Sequence, residues 1–107
     1  MYEYAATVER VVDADTFSLV VDLGWHVSIR GHVRLIGVDC PERRTPAGTA
    51  AAQWVTDLLA THDNQVVVRT VAAEPGRSFA RYLAHINLGG LDLAGLIIDA
   101  GHAVPRI

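Results

Sequence analysis

Apolar residues recur at nearly every second position through the first third of the chain. Residues 4–12 (YAATVERVV), 16–22 (TFSLVVD) and 25–38 (WHVSIRGHVRLIGV) are rich in β-branched and aromatic side chains, and DAD and Leu23-Gly24 separate them. This pattern predicts three sequential strands in an antiparallel meander. Gly31, inside the third run, predicts a bulge or sharp bend of the kind that curls a sheet into a barrel. The period then lengthens. Thr45 and Pro46 supply an N-cap and a first-turn proline. A helix over residues 46–62 follows, placing Ala51, Trp54, Val55, Leu58 and Leu59 on one buried face. Residues 64–71 (NQVVVRTV) read as a fourth strand, Glu74-Pro75-Gly76 as a turn, and residues 79–88 as a fifth strand ended by Gly89-Gly90. Asp92 caps a short last helix through Ala100, with Leu93, Leu96 and Ile97 inward and Gly101 as its stop.

Three strands, a helix and two further strands, in that order, describe the OB-fold. This mainly β architecture with α is a five-stranded Greek-key barrel, with a helix between strands three and four and here a short C-terminal helix. The 107 residues form one domain over positions 1–107, without repeats, low-complexity segments or a linker. A fold of this kind often binds oligonucleotides or oligosaccharides, but the site has to carry the functional argument.

Charge narrows the partners. Nine basic and 12 acidic residues give a net charge of -3, which excludes a protein that coats nucleic acid through bulk positive charge, so phosphate binding must be local. All nine basic residues are arginines, the better bidentate partner for phosphate oxygens. The single cysteine, Cys40, excludes an internal disulfide. The N-terminus MYEYAATVER has acidic residues where a signal peptide has basic ones, and no apolar run approaches the ~18 residues of a membrane span, so a cytoplasmic location without membrane contact is expected.

Three places put charge where packing does not ask for it: Asp13 and Asp15 in VVDADTF, Arg34, Asp39 and Glu42 in RLIGVDCPE, and Arg81 in SFARYLAHI. An ionised arginine inside an apolar strand is costly unless a carboxylate or an external anion meets it. A barrel can bring all three places to one end. There Asp15 and Asp39 suit a hard divalent cation such as Ca²⁺, with Mg²⁺ served by the same oxygens, while Arg34 and Arg81 face an anion beside it. A phosphodiester fits such a pocket, since its non-bridging oxygens reach cation and guanidinium groups alike. Glu42, three residues beyond Asp39, is placed to activate or orient a water.

At these residues the sequence resembles the staphylococcal-nuclease (thermonuclease) family. The resemblance rests on VVDADTFSL, on VRLIGVDCPE followed by a helix, on ARYLAHI and on LDLAGLIIDAGHA, which span nearly the whole chain in the family's order. It implies a Ca²⁺-dependent phosphodiesterase on an OB barrel that cleaves DNA and RNA, in single-stranded or unpaired segments, between phosphorus and the 5′-oxygen to leave 3′-phosphates. It implies Asp15, Asp39 and the backbone carbonyl of Cys40 as metal ligands. Glu42 takes the water-activating role, Arg34 and Arg81 hold the phosphate, and Asp13 and Thr16 support the metal site. The chain also departs from the pattern. Cys40 stands where threonine is frequent, Ala14 and Ala80 replace glycines, and Arg77 replaces an acidic residue. It stops at Ile107, where the family prototype continues into a third helix. The surface that helix would cover is then open to a second copy, as in a homodimer.

Bland readings stand beside these. DAD is ordinary turn chemistry, Arg34 can pair internally with Asp39 or Glu42, and Arg81 can snorkel from a half-exposed strand. His26, His32, His62, His85 and His102 show no ligand spacing. Cys40, beside acidic residues, is expected to have a raised pKa rather than to serve as a nucleophile. Trp25 and Trp54 are expected in the core, and Arg43 and Arg44 in a solvated loop. The functional alternative is a catalytically weak or inactive module of the same fold that binds nucleic acid or protein, like the nuclease-like repeats of eukaryotic Tudor-containing proteins.

Overall fold

The computed structural model describes the backbone of residues 2–73 and 81–106, with the side chains of these spans except at positions 2, 72, 73 and 81. Among the described residues the order is β1 (Tyr2–Asp13), β2 (Thr16–Asp22), β3 (Ser28–Leu35), β4 (Val38–Asp39), α1 (Pro46–Ala60), β5 (Gln65–Ala73), β6 (Arg81–Leu88), β7 (Leu91–Asp92), α2 (Leu93–Asp99) and β8 (Val104–Pro105). The meander β1-β2-β3 is antiparallel, β5 pairs with β1, and β6 pairs with β5. β6 then meets β3 in parallel, from His32 opposite Arg81 to Leu35 opposite Ala84, and closes the ring. The result is the expected five-stranded mixed barrel, OB-like in topology, with α1 between its third and fourth strands.

A slip in the apolar phase of β1 shows how the barrel curls. Ala6 and Val8 point inward, but the next inward residue is Val11, three positions on, so one residue must be absorbed. The pairing of β1 with β2 shifts there, between Val8 and Arg10, and again between Val11 and Asp13; β5 shifts between Thr70 and Ala72. Each shift bends and twists its strand. The bend predicted at Gly31 falls on these strands instead, because Gly31 pairs with Leu19 in unbroken register. β1 has the greater need, since its first half serves β5 and its second half serves β2.

Inside the ring Phe17, Leu19, Leu35, Val68, Ile86 and Leu88 are fully buried, and Val55 and Leu59 of α1 and Leu93 and Ile97 of α2 cover them. Thr45 caps α1, its Oγ1 accepting from the Gly48 N–H at 3.0 Å. The helix ends two residues earlier than predicted: Thr61 closes it, and Asp63 and Asn64 turn the chain into β5 at φ 54° and 59°, a region that short polar residues tolerate. Asp92 occupies the N-cap of α2 but makes no side-chain cap hydrogen bond, contrary to expectation. Gly101 does end α2, at φ 82°, with its N–H on Ile98 and that of His102 on Ile97, the Schellman arrangement.

The two tryptophans separate. Trp54 packs against the core, its ring 5.3 Å from that of His102. Trp25, expected in the core, is 96% exposed. β3 begins only at Ser28, so Trp25 falls on the tip of the β2-β3 hairpin rather than in the strand's inward phase. No helix among the described residues is long and apolar enough to cross a membrane.

Candidate active site

Asp15 is the best-held of the expected site residues. It lies in the two-residue turn between the paired Asp13 and Thr16, yet both Ala14 and Asp15 are buried, whereas turn residues ordinarily face water. The Asp15 carbonyl accepts from the Leu35 N–H at 2.8 Å, fixing the turn to the end of β3. Its carboxylate, in a residue only 6% exposed, accepts from Thr16 Oγ1 at 3.1 Å and from the Cys40 N–H at 3.3 Å. Ala14 does not adopt a positive φ, so alanine in place of glycine creates no strain here.

Arg34 stands one residue from the end of β3, between the buried Val33 and Leu35, with its side chain 19% exposed. Its Nη2 lies 3.8 Å from a carboxylate oxygen of Asp15 and 3.8 Å from one of Asp39. Of the two internal partners expected, Asp39 is present and Glu42 is replaced by Asp15. At 3.8 Å the contacts are electrostatic rather than hydrogen-bonded, so Nη2 is compensated in charge by both carboxylates without a hydrogen bond to either.

Asp39 is carried by β4, which pairs with β8 through Val38 with Pro105 and Asp39 with Val104. The Arg106 N–H reaches the Gly37 carbonyl at 3.0 Å. The C-terminal segment therefore holds the strand that presents Asp39. Removing residues 104–107 is expected to speed amide hydrogen exchange at positions 37–40 while the barrel amides of β1 and β5 stay protected; unchanged exchange at 37–40 would show that β8 does not hold the loop.

Cys40 is half-buried, and its thiol is pushed up to about 12, by burial first and then by the negative charges of Asp15, Asp39 and Asp13, with Arg34 pulling the other way. At pH 8 the thiolate fraction is then on the order of 10³-fold below that of a free cysteine. Iodoacetamide is expected to alkylate Cys40 correspondingly slowly in folded protein and at the ordinary rate in urea. Fast labelling of the folded chain would contradict this environment.

Glu42 lies on the same loop but not in the cluster. Its carboxylate accepts from Arg44 Nε at 3.0 Å and is 71% exposed. Its main chain is tightly held: the carbonyl accepts from the Thr45 N–H at 3.0 Å and from Thr45 Oγ1 at 2.7 Å. A Cβ on Gly48 would come within 1.7 Å of that same oxygen. Gly48 is thus what allows α1 to start against the loop, a role its place inside a helical pattern already hints at.

Arg43, expected in a solvated loop, is a clamp. Its N–H donates to Asp13 Oδ1 at 3.0 Å, and its Nη1 donates to the Val11 and Val12 carbonyls. Asp13 therefore anchors the loop of residues 39–44 to the end of β1. Nothing in the local sequence separates Arg43 from Arg44, which is exposed and pairs with Glu42. Arg81 opens β6 opposite His32; its side chain lies outside the described residues, as do Arg77 and Ala80.

The donors present are of the hard, oxygen type. Asp15 and Asp39 converge on one guanidinium nitrogen, and both offer carboxylate oxygens; the Cys40 carbonyl is adjacent in the chain. Among the described residues no three His, Cys, Asp or Glu side chains gather as a metal group. An ion held there would need main-chain, water or substrate oxygens to complete its shell, as Ca²⁺ and Mg²⁺ accept and structural zinc does not. No protein-family model and no curated protein matches the chain.

Proposed function

We propose that this chain is a divalent-metal-dependent nuclease of the thermonuclease type, hydrolysing DNA and/or RNA at single-stranded or unpaired segments to 3′-phosphate products. The observation that carries the reading is Arg34, half-buried at the end of a barrel strand between two convergent carboxylates, with no hydrogen bond to either. A cation and two anions so arranged form a receptor for a phosphodiester together with a metal ion. Asp15 and Asp39, with the Cys40 carbonyl, would hold the ion, Ca²⁺ by the family resemblance. When bound, it supplies positive charge to a non-bridging phosphate oxygen.

The chain's own residues do the rest. Arg34 turns from its carboxylates and donates to a non-bridging oxygen, where charge grows as phosphorus becomes pentacovalent. Arg81 is assigned the same task from β6. Glu42 leaves Arg44, accepts a proton from a water, and that water attacks phosphorus. The bond to the 5′-oxygen breaks and that oxygen takes a proton from solvent, leaving phosphate on the 3′ side. Asp13 and Arg43 keep the loop that carries Asp39 and Glu42 against the barrel.

The second reading is a binding module without turnover, favoured by one observation: the Glu42 carboxylate is bound to Arg44 and outside the Arg34 cluster. The test is cleavage of a labelled single-stranded oligonucleotide with Ca²⁺, with Mg²⁺ and with chelator, and with end-group analysis of the products. Metal-dependent cleavage to 3′-phosphates supports the nuclease. Folded protein that retains the oligonucleotide uncut in all three conditions supports the module.

A further inference from the structure

We propose that two copies of this chain form a two-fold dimer through the β2-β3 hairpin, the Trp25 indole of each entering the apolar barrel mouth of the other. The inference is independent of the nuclease reading. The Val27 N–H reaches the Gly24 carbonyl at 2.8 Å around Trp25 and His26, which stand at φ 56° and 60°. Both central positions of such a turn favour asparagine or glycine, and for a bulky residue this conformation is an outlier. Here it holds a tryptophan out in water, 96% exposed. Conformational strain that serves no packing within the chain points to use outside it.

The hairpin is apolar beyond its tip. Leu23, Val27 and Ile29 are 39%, 50% and 51% exposed. Beside them opens a cleft of about 480 Å³ at the barrel's end, walled by Leu19, Val21, Ile29, Val33, Val68 and Tyr82. That size lies within the ~300–1,000 Å³ of sites that enclose a small molecule and is ample for an indole. A projecting aromatic and an apolar recess on the same hairpin are the two halves of a self-complementary contact, as a two-fold axis requires.

Charge selects protein over polyanion as the occupant. Arg30, the arginine lining the cleft, is held by Glu9 at 2.6 and 3.1 Å, His32 lines the cleft beside it and His26 shares the tip, and the hairpin's carboxylate, Asp22, accepts from the Gly24 N–H. A phosphate backbone or an anionic lipid surface finds no uncompensated arginine or lysine there among the described residues. Each indole buries roughly 150–250 Å² on entering an apolar site. Two such insertions, with the cleft walls and the exposed Leu23, Val27 and Ile29 of both copies, supply the apolar surface for the ~1,000 Å² that a specific interface requires. The Trp25 tip stands away from Arg34, since five residues of β3 separate Ser28 from it, about 20 Å of strand, while the cleft itself runs along β3 to Val33 and across to Tyr82 of β6.

Sedimentation equilibrium of the full chain tests this, beside Trp25→Ala and Ile29→Glu, both exposed positions that should leave thermal unfolding unchanged at concentrations where the wild type is monomeric. The wild-type mass should rise to twice the chain mass with concentration. Either substitution should raise the dissociation constant at least ~30-fold, as for an aromatic hot spot. Mixing the two variants should restore part of the association, because one supplies an intact indole and the other an intact cleft. In a Trp54→Phe background, Trp25 emission should shift to the blue as dimer forms. A wild-type chain that stays monomeric, a dimer that survives Trp25→Ala, or Trp25 emission that responds only to added oligonucleotide or phosphatidylglycerol vesicles would overturn the proposal.

Discussion

Glu42→Gln is expected to lower turnover of a single-stranded oligonucleotide by roughly 10²- to 10⁴-fold, the contribution of a positioned general base, while the protein stays folded. The substitution is nearly isosteric and the side chain is exposed, paired with Arg44, so unfolding should move within about 0.5 kcal/mol. Glutamine can still accept a hydrogen bond from Arg44 or a water but cannot take the water's proton. The metal concentration needed for half-maximal activity should not change, since Glu42 is assigned to the water and not to the ion. Arg44→Ala separates this role from a structural one. If the pair with Arg44 merely stores Glu42 away from the site, removing the arginine frees the carboxylate and activity should hold or rise. A Glu42→Gln protein that cleaves normally would remove Glu42 from the chemistry. Loss of activity in Arg44→Ala as large as in Glu42→Gln would mean that the ion pair itself is the functional unit. A wild-type protein that does not cleave would instead end the nuclease reading, whatever the variants do.

The barrel was legible because period and phase carry it. Alternation in β2 and β3 sets their inward residues, and the chain order of strands and helix permits few closures. Even the curl was written in the sequence, in the three-residue step from Val8 to Val11, although Gly31 is the more conspicuous signal and led to the wrong strand. Where sequence reading failed, long-range geometry decided. Trp25 looks like core by composition, but one turn residue more or less moves it from the strand's inner face to the hairpin tip. Arg43 and Arg44 are neighbours with the same side chain, and only the proximity of β1, some thirty residues away in the chain, makes one a clamp and leaves the other to Glu42. The site shows the same division. That Asp15, Arg34 and Asp39 belong together follows from charge placed at the end of apolar strands, which has no packing purpose. That Arg34 takes Asp15 rather than Glu42 depends on the turn being buried beneath the loop of residues 39–44, and no local pattern announces that.

Gly48→Ala should damage both stability and activity, against the direction that helix propensity sets. Gly48 is the third residue of α1, and an alanine inside a helix is ordinarily better than glycine by about 1 kcal/mol. Here the new methyl would sit 1.7 Å from the Glu42 carbonyl oxygen, 2.3 Å from its carbon and 2.8 Å from the Pro41 oxygen. None of these is the far end of a flexible side chain; all are main chain, and the oxygen is the one that both Thr45 donors hold. Relief requires the loop or the start of the helix to move by more than an ångström. The overpacking cost should lie at or above the upper end of the ~1–3 kcal/mol seen for extra methylenes in filled cores. Losing the two hydrogen bonds to Glu42 would add about 1 kcal/mol each. For a domain near 100 residues that combination lowers the melting temperature by more than ~10 °C. Activity measured well below the transition should also fall, by on the order of 10²-fold, because the displaced segment carries Asp39 and Glu42. The two readouts divide the possibilities. A stabilised, active variant would mean that the loop yields freely and its position is unimportant. A destabilised variant with normal turnover would mean that the loop's anchorage to α1 serves the fold alone, and that the carboxylates find their places by other contacts, with the Arg43 clamp on β1 the first to test.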